Sequence, residues 1–488
     1  MSAITQAEIS RSPMSSAKSS TTMTEGILGG SSADVDLSIA TPQAKLATAG
    51  AKPGSGGLIK KGIWAVMDQG LFAGSNCVVN VMLANWLSKT EYGAFSTAFA
   101  AFLLLGVVHT AMLIEPMLVF APARYKSRLG EYLGALTGGH LLISFFVSAL
   151  LLGYGLLKSY QGQPDLAYAL YWFAATAPAT LYLWLMRRAC YAKMNPRRAA
   201  FAGIGYLVMM MIGLAVIHEM NVLSIATALL LMGGCSLITG FCLAIGHVSK
   251  KGLAVPMLRD VSAEHWRYGR WATATALLSY IPGNIYYFLL PSYYSLAESG
   301  ALRALSNLYN PFLQANAALC LLLLPAFVRT RGTPEGKRIH RMSLLVLTGG
   351  PLACWILFGI FNHQVINLVY RGKYAEYAGL MWIIGFQPVI AGMCGVYGSL
   401  LRAHQKMNAV LWAGVVAATS TVVLGIAMTK LYGMAGVCWS IVLSYALHHI
   451  TLWLFSRSMS RKNKSRLISD NPAEEGRGNS SMASTQAA

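Results

Sequence analysis

The chain has 488 residues, 55% hydrophobic and only 11% charged, with a mean hydropathy of +0.50 and a formal net charge of +20. A soluble domain carries about one quarter charged residues, so this composition excludes an ordinary soluble protein. Apolar runs near or above about 18 residues recur without alternation, which predicts an all-α polytopic membrane protein and argues against a barrel of about ten-residue strands.

Residues 1–59 are rich in Ser, Ala, Thr and Gly and hold no apolar core. That excludes an ordinary cleaved signal peptide and predicts a disordered cytoplasmic tail. The first apolar segment, Gly62 to Leu87, is interrupted by Asp68, Gln69, Asn76 and Asn80. A span with such groups faces a protein interior or a wet cavity rather than lipid. Twelve spans are expected, at about 63–87, 93–114, 133–157, 167–186, 199–218, 222–246, 271–291, 304–328, 343–363, 378–400, 409–429 and 434–456. They divide into a first six-helix bundle over 60–246, a cytoplasmic linker over 247–270 and a second bundle over 271–457. Residues 458–488 are basic and polar and are expected to form a second disordered cytoplasmic tail.

The links after even-numbered spans carry the base: Arg124, Lys126 and Arg128; then Arg187, Arg188, Lys193, Arg197 and Arg198; then Lys250, Lys251, Arg259, Arg267 and Arg270. Positive-inside counting puts both termini in the cytoplasm and requires an even number of spans. The net charge is thereby read as topology, with no nucleic-acid partner. The eight Cys stand singly in apolar segments, without a CxxC pair or a Cys/His cluster, so they are read as packing residues. No metal site or cofactor is expected.

The halves echo each other. Gly62-Ile63-Trp64 answers Gly269-Arg270-Trp271 at an offset of 207, and Glu91-x-Gly93-Ala94 answers Glu298-x-Gly300-Ala301 at the same offset. Six spans per half preserve the direction of entry, so the repeat is parallel and pseudo-symmetric. Within the spans, Asp68 is followed 8 and 12 residues on by Asn76 and Asn80, close to its helix face. The second half adds Asn284, Tyr287, Asn307, Asn310, Gln314 and Asn316. These amides and tyrosines suit a polar cavity that binds sugar hydroxyls; they equally suit helix–helix hydrogen bonds. Asp68, Asn76, Asn80, Asn284, Tyr287, Asn310 and Gln314 are the cavity candidates. His109 and Glu115 are candidates for cation or proton coupling. HExxH, GxSxG and Walker A motifs are absent from the sequence, so the chain is not expected to be an enzyme.

Four stretches resemble the polysaccharide transporter family of the multidrug/oligosaccharidyl-lipid/polysaccharide flippase superfamily. They are Gly62-x-Trp64 with ANWLSKTEYGAFSTAFA (84–100), VYRGKYAEYAGLMWIIGFQP (369–388), SLLRAHQKMNA (399–409) and LYGMAGVCWSIVLSY (431–445). The family's Leu-Gly-Pro in the first link is Leu87-Ser88-Lys89 here. The resemblance implies two six-helix bundles facing each other in a V. It implies alternating-access flipping of a polyprenyl-pyrophosphate-linked oligosaccharide across the bacterial inner membrane, for exopolysaccharide, capsule or O-antigen synthesis. Its partners would be membrane lipids, the lipid-linked oligosaccharide, and a polysaccharide polymerase and export machinery. Family cavities carry basic residues for the pyrophosphate, and Arg270 and Arg303 are the candidates here. The alternative is a cation-coupled small-solute or multidrug exporter of the same superfamily. A membrane polysaccharide polymerase or ligase fits less well, because the outer links are short.

Overall fold

The computed structural model describes residues 55–469, and all of the regular structure in them is helical. The first half comprises α1 (Ser55–Trp86), α2 (Lys89–His109), a π-helical turn (Thr110–Ile114), α3 (Glu115–Ala123), α4 (Leu129–Tyr160), α5 (Pro164–Ala192), α6 (Pro196–Glu219) and α7 (Ile225–Ala244). A 3₁₀ turn (Lys250–Leu253) leads to α8 (Val255–Asn284), α9 (Tyr286–Tyr293), α10 (Leu296–Arg329), α11 (Pro334–Ile360) and α12 (Asn362–Tyr370). A further 3₁₀ turn (Ala375–Leu380), α13 (Met381–Ile384), α14 (Gln387–Ala403) and α15 (Met407–Ser469) complete it.

The helix starts are written locally. Ser88 accepts from Glu91 N while Glu91 bonds back to Ser88 N, forming a capping box. Ser295 accepts from Glu298 N, Thr333 from Gly336 N and Asn195 from Arg198 N. Pro164, Pro196 and Pro334 open α5, α6 and α11, where the missing N–H costs nothing.

Eight helices among the described residues are long and apolar enough to cross a membrane. The last of these, Met407–Met459, is divided by Gly433 at φ 56 and ψ −134, a conformation that a side chain would strain. Large apolar side chains such as Phe145 (65% exposed) and Leu345 (67%) face outward, and lipid is the environment that suits them. The protein is therefore an all-α polytopic membrane protein.

Several boundaries differ from the sequence expectation. Helix α2 does not stop near 114: the π turn carries it through Glu115-Pro116 to Ala123. Helix α10 begins at Leu296 rather than 304, because Ser295 caps it. The expected tail at 458–488 is helical to Ser469, and the expected tail at 1–59 falls outside the described residues up to 54. The expected linker at 247–270 is structured and fastened to the first half. Ser249 N bonds Gly130 O, and the Arg124 guanidinium pairs with Glu264. The Tyr125 hydroxyl donates to Glu264 at 3.0 Å; burial, then that carboxylate, pushes the phenol up to about 12. His265 Nδ1 lies 2.8 Å from Met112 O and Nε2 lies 2.7 Å from Tyr132 Oη. A carbonyl can only accept, so Nδ1 carries the proton and Nε2 accepts from the tyrosine.

The sequence repeat becomes a contact. Helices α2 and α10 cross near their first turns, and the crossing is built from the two repeat glycines. A Cβ on Gly93 would overlap the Leu296 carbonyl oxygen, and one on Gly300 would come to 3.0 Å of Gly93 N and Lys89 O. One turn on, Thr97 and Ser299 hydroxyls bond at 2.9 Å. The caps Ser88 and Ser295 also stand 207 residues apart. Gly93→Leu is expected to push α2 and α10 apart and to cost several kcal/mol, of the order set by overpacking. Thermal unfolding of the purified chain checks this, with Gly70→Leu, at a site where a Cβ meets nothing within 4 Å, as the neutral comparison.

Beside the crossing, the segment after α12 docks on the end of α1. Lys373 Nζ donates to Ala84 O at 2.8 Å and to Leu87 O, Asn85 Nδ2 donates to Val369 O at 2.8 Å, and Lys89 pairs with Glu376 at 2.8 Å. A cation thus meets the unpaired carbonyls and the negative dipole end of α1. Burial pushes the Lys373 ammonium below its ordinary value, partly offset by Glu91. Lys373→Met is expected to remove about 1.5–3 kcal/mol of charge-assisted bonding. Amide exchange over 84–92 should then rise about tenfold or more.

Candidate transport site

The polar side chains of the first span separate into two groups. Asp68 is fully buried and bidentate to Arg187 of α5: Nε donates to Oδ1 at 2.9 Å and Nη2 to Oδ2 at 2.8 Å. Arg187 Nη2 also donates to Asp68 O at 3.0 Å, and the Tyr191 hydroxyl donates to Oδ2. The carboxylate therefore faces α5 rather than an open cavity. Asn76 and Asn80 do not share its face: at 3.6 residues per turn they lie about 80° and about 120° round the helix from Asp68.

Instead they open a chain of hydrogen bonds from the first half to the second. Asn80 Nδ2 donates to Asn76 Oδ1 at 2.6 Å, and Tyr92 Oη to Asn80 Oδ1 at 3.4 Å. Asn307 Nδ2 donates to Tyr92 Oη at 3.0 Å, and Asn310 Nδ2 to Asn307 Oδ1 at 3.3 Å. Asn76 at one end is exposed, Asn310 at the other is half-buried, and Gln314 one turn further is exposed. The middle of the chain of bonds is thus a seam between helices.

Arg303 and Tyr287 meet beneath the α2–α10 crossing. The guanidinium sits 3.9 Å from the Tyr287 ring centroid and 5.3 Å from that of Phe99, and Nη2 donates to Ser96 O at 3.2 Å. Arg270 is elsewhere, exposed at the start of the seventh expected span and 5.6 Å from the Trp271 ring. His109 is buried, with Nε2 3.1 Å from His140 Nδ1. Among the described residues, no group of three or more His, Cys, Asp or Glu could hold a metal ion.

Glu115 and Asn284 come together. They line a cavity of about 220 Å³ with Thr110, Tyr280, Trp184 and Ala276, between the α2–π–α3 run, α5 and α8. Asn284 Nδ2 donates to Tyr280 O at 3.2 Å, and the Tyr280 hydroxyl to Ala100 O. Glu115 has no hydrogen bond or ion pair among the described residues. The π turn immediately before it is the kind of helix irregularity found often at functional sites. Sequence reasoning missed Arg187, which it counted with the inner-link charges, and His140 and Tyr92, which carry no local signal.

The fold is shared with solved membrane transporters. The structure superposes on an inward-facing multidrug resistance MATE-family transporter of the MOP superfamily with a TM-score of 0.67, at 12% identity over 82% of this chain and 99% of the other. It matches the lipid II flippase MurJ in an inward closed conformation with a TM-score of 0.65, at 13% identity over 82% of this chain and 87% of that one. A mutant of the Vibrio cholerae MATE transporter VcmN aligns with a TM-score of 0.56, at 16% identity over 86% and 98% of the two chains. No family model and no curated protein sequence matches the chain.

Proposed function

We propose that the protein is an alternating-access exporter of small solutes, coupled to a cation that binds at Glu115. The observation that supports this reading is the unpartnered Glu115 carboxylate in the cavity with Asn284. An ionisable group inside a transmembrane bundle marks an ion or substrate path. The likeness to MATE transporters supports the same reading at the level of the fold. In this proposal the chain has twelve spans. The eight apolar helices gain α1, α5 and the α8–α9 pair, and Gly433 divides the last into two. Two six-helix halves then lie in a bacterial inner membrane with both termini cytoplasmic.

A second reading, flipping of a polyprenyl-linked oligosaccharide, is favoured by the likeness to MurJ and by the charge of the second half. Between 271 and 457 the acidic residues are Glu298, Glu335 and Glu376, each in the first turn of its helix. Proteoliposomes carrying the purified chain separate the two readings. Efflux of a cationic dye driven by an imposed pH or sodium gradient is expected. Transfer of a lipid-linked oligosaccharide between leaflets, with no gradient-driven dye efflux, would replace the first reading by the second.

A further inference from the structure

We propose that the second half holds a binding cavity for an amphipathic anion: one phosphate or carboxylate on an alkyl or aryl body. A cavity of about 450 Å³ lies between α10, α14 and α15, within the range of about 300–1,000 Å³ typical of small-molecule sites. Its walls are mainly apolar, with Leu313, Ala317 and Leu324 of α10 and Ala391 and Gly395 of α14. Its charge is Arg402. That guanidinium forms no ion pair or hydrogen bond among the described residues, so its donors are free for a ligand. Asn316 donates to Pro388 O at 3.0 Å, and Ser399 also lines the cavity.

Nothing in the second half neutralises the cation. Its three carboxylates stand at the helix starts named above, and the titratable neighbours within electrostatic reach of Arg402 are Cys320, a thiol of the same cavity, and His448, a base. The last turn of α14 favours a positive charge through the helix dipole. That accounts for an arginine at this end, and not for the open apolar volume beside it. A cation in the lining of a mainly apolar cavity selects a ligand with an anionic head and an apolar body. The site is distinct from Glu115 and stands independently of the cation-coupled reading.

Cys320 lines the cavity and is half-buried, so it reports on occupancy. The full chain with its other seven cysteines replaced by Ser is placed in phosphatidylcholine nanodiscs and alkylated with N-ethylmaleimide. Dodecyl phosphate is expected to slow the reaction, and dodecyltrimethylammonium is not. Arg402→Gln should raise the dodecyl phosphate concentration needed by at least about tenfold, the loss expected for a charge-assisted hydrogen bond. Gly398→Leu is the second variant: a Cβ there meets nothing within 4 Å, so the side chain fills the cavity with Arg402 intact, and protection should disappear. Slowing in phosphatidylglycerol nanodiscs without added amphiphile identifies a lipid headgroup as the ligand. Slowing by dodecyl phosphate alone identifies a free anion. Equal protection by the alkyl cation, unchanged protection in Arg402→Gln, or no protection of the parent chain overturns the proposal.

Discussion

Arg187→Met is expected to destabilise the folded chain by about 3–5 kcal/mol, because it strands a charge that has no water to turn to. The Asp68 carboxylate is 0% exposed and takes three side-chain hydrogen bonds, two of them from Arg187. Asp68→Asn should be less severe, since the amide keeps one acceptor for the guanidinium. The informative variant is the double replacement Asp68→Leu with Arg187→Met. An apolar pair of similar volume often matches or exceeds a buried ion pair in stability, so most of the loss should return. Thermal unfolding of the purified variants measures this. The double variant is also expected to transport, because the ion pair is read as structural. A stable double variant with no transport would return Asp68 to the functional residues.

Glu115→Gln has the opposite profile. The carboxylate makes no hydrogen bond or ion pair among the described residues, so stability should change by no more than about 0.5 kcal/mol. Gradient-driven efflux should fall on the order of 10²-fold, the upper range of a typical coupling free energy. Asn284→Leu, on the facing wall of the same cavity, should lower efflux in the same assay by a smaller factor. A variant that folds and pumps normally with Gln at 115 would remove the cation site from this cavity.

The helical class was legible because long apolar runs are a local signal. So was the repeat, and it marked more than duplication: the Glu-x-Gly-Ala links proved to be the two sides of one helix crossing, with serine caps at the same spacing. What stayed hidden was pairing over distance. Arg187 lies 119 residues from Asp68, and a positive charge near the end of a span reads as topology whether it turns outward or inward. The spacing of Asp68, Asn76 and Asn80 suggests one face, whereas the 3.6-residue period sends Asp68 to α5 and the asparagines toward α2 and α10. Glu115 is a coupling candidate from its place in the sequence. Its cavity is not legible there, because the π turn that carries the helix past Pro116 has no sequence signature.

The glycine crossing of α2 and α10 also sets a leverage. The helical run from Lys89 to Ala123 has 35 residues, and from the crossing at Gly93 it reaches about 45 Å at 1.5 Å per residue. Each degree of rotation about the glycines therefore sweeps its far end through about 0.8 Å. A hydrogen bond stretched by about 1 Å is lost. The contacts at that end, the Arg124–Glu264 pair among them, respond to angles that leave the pivot almost undisturbed. Close approach at one pair of glycines thus gives the other end of the molecule its mechanical gain.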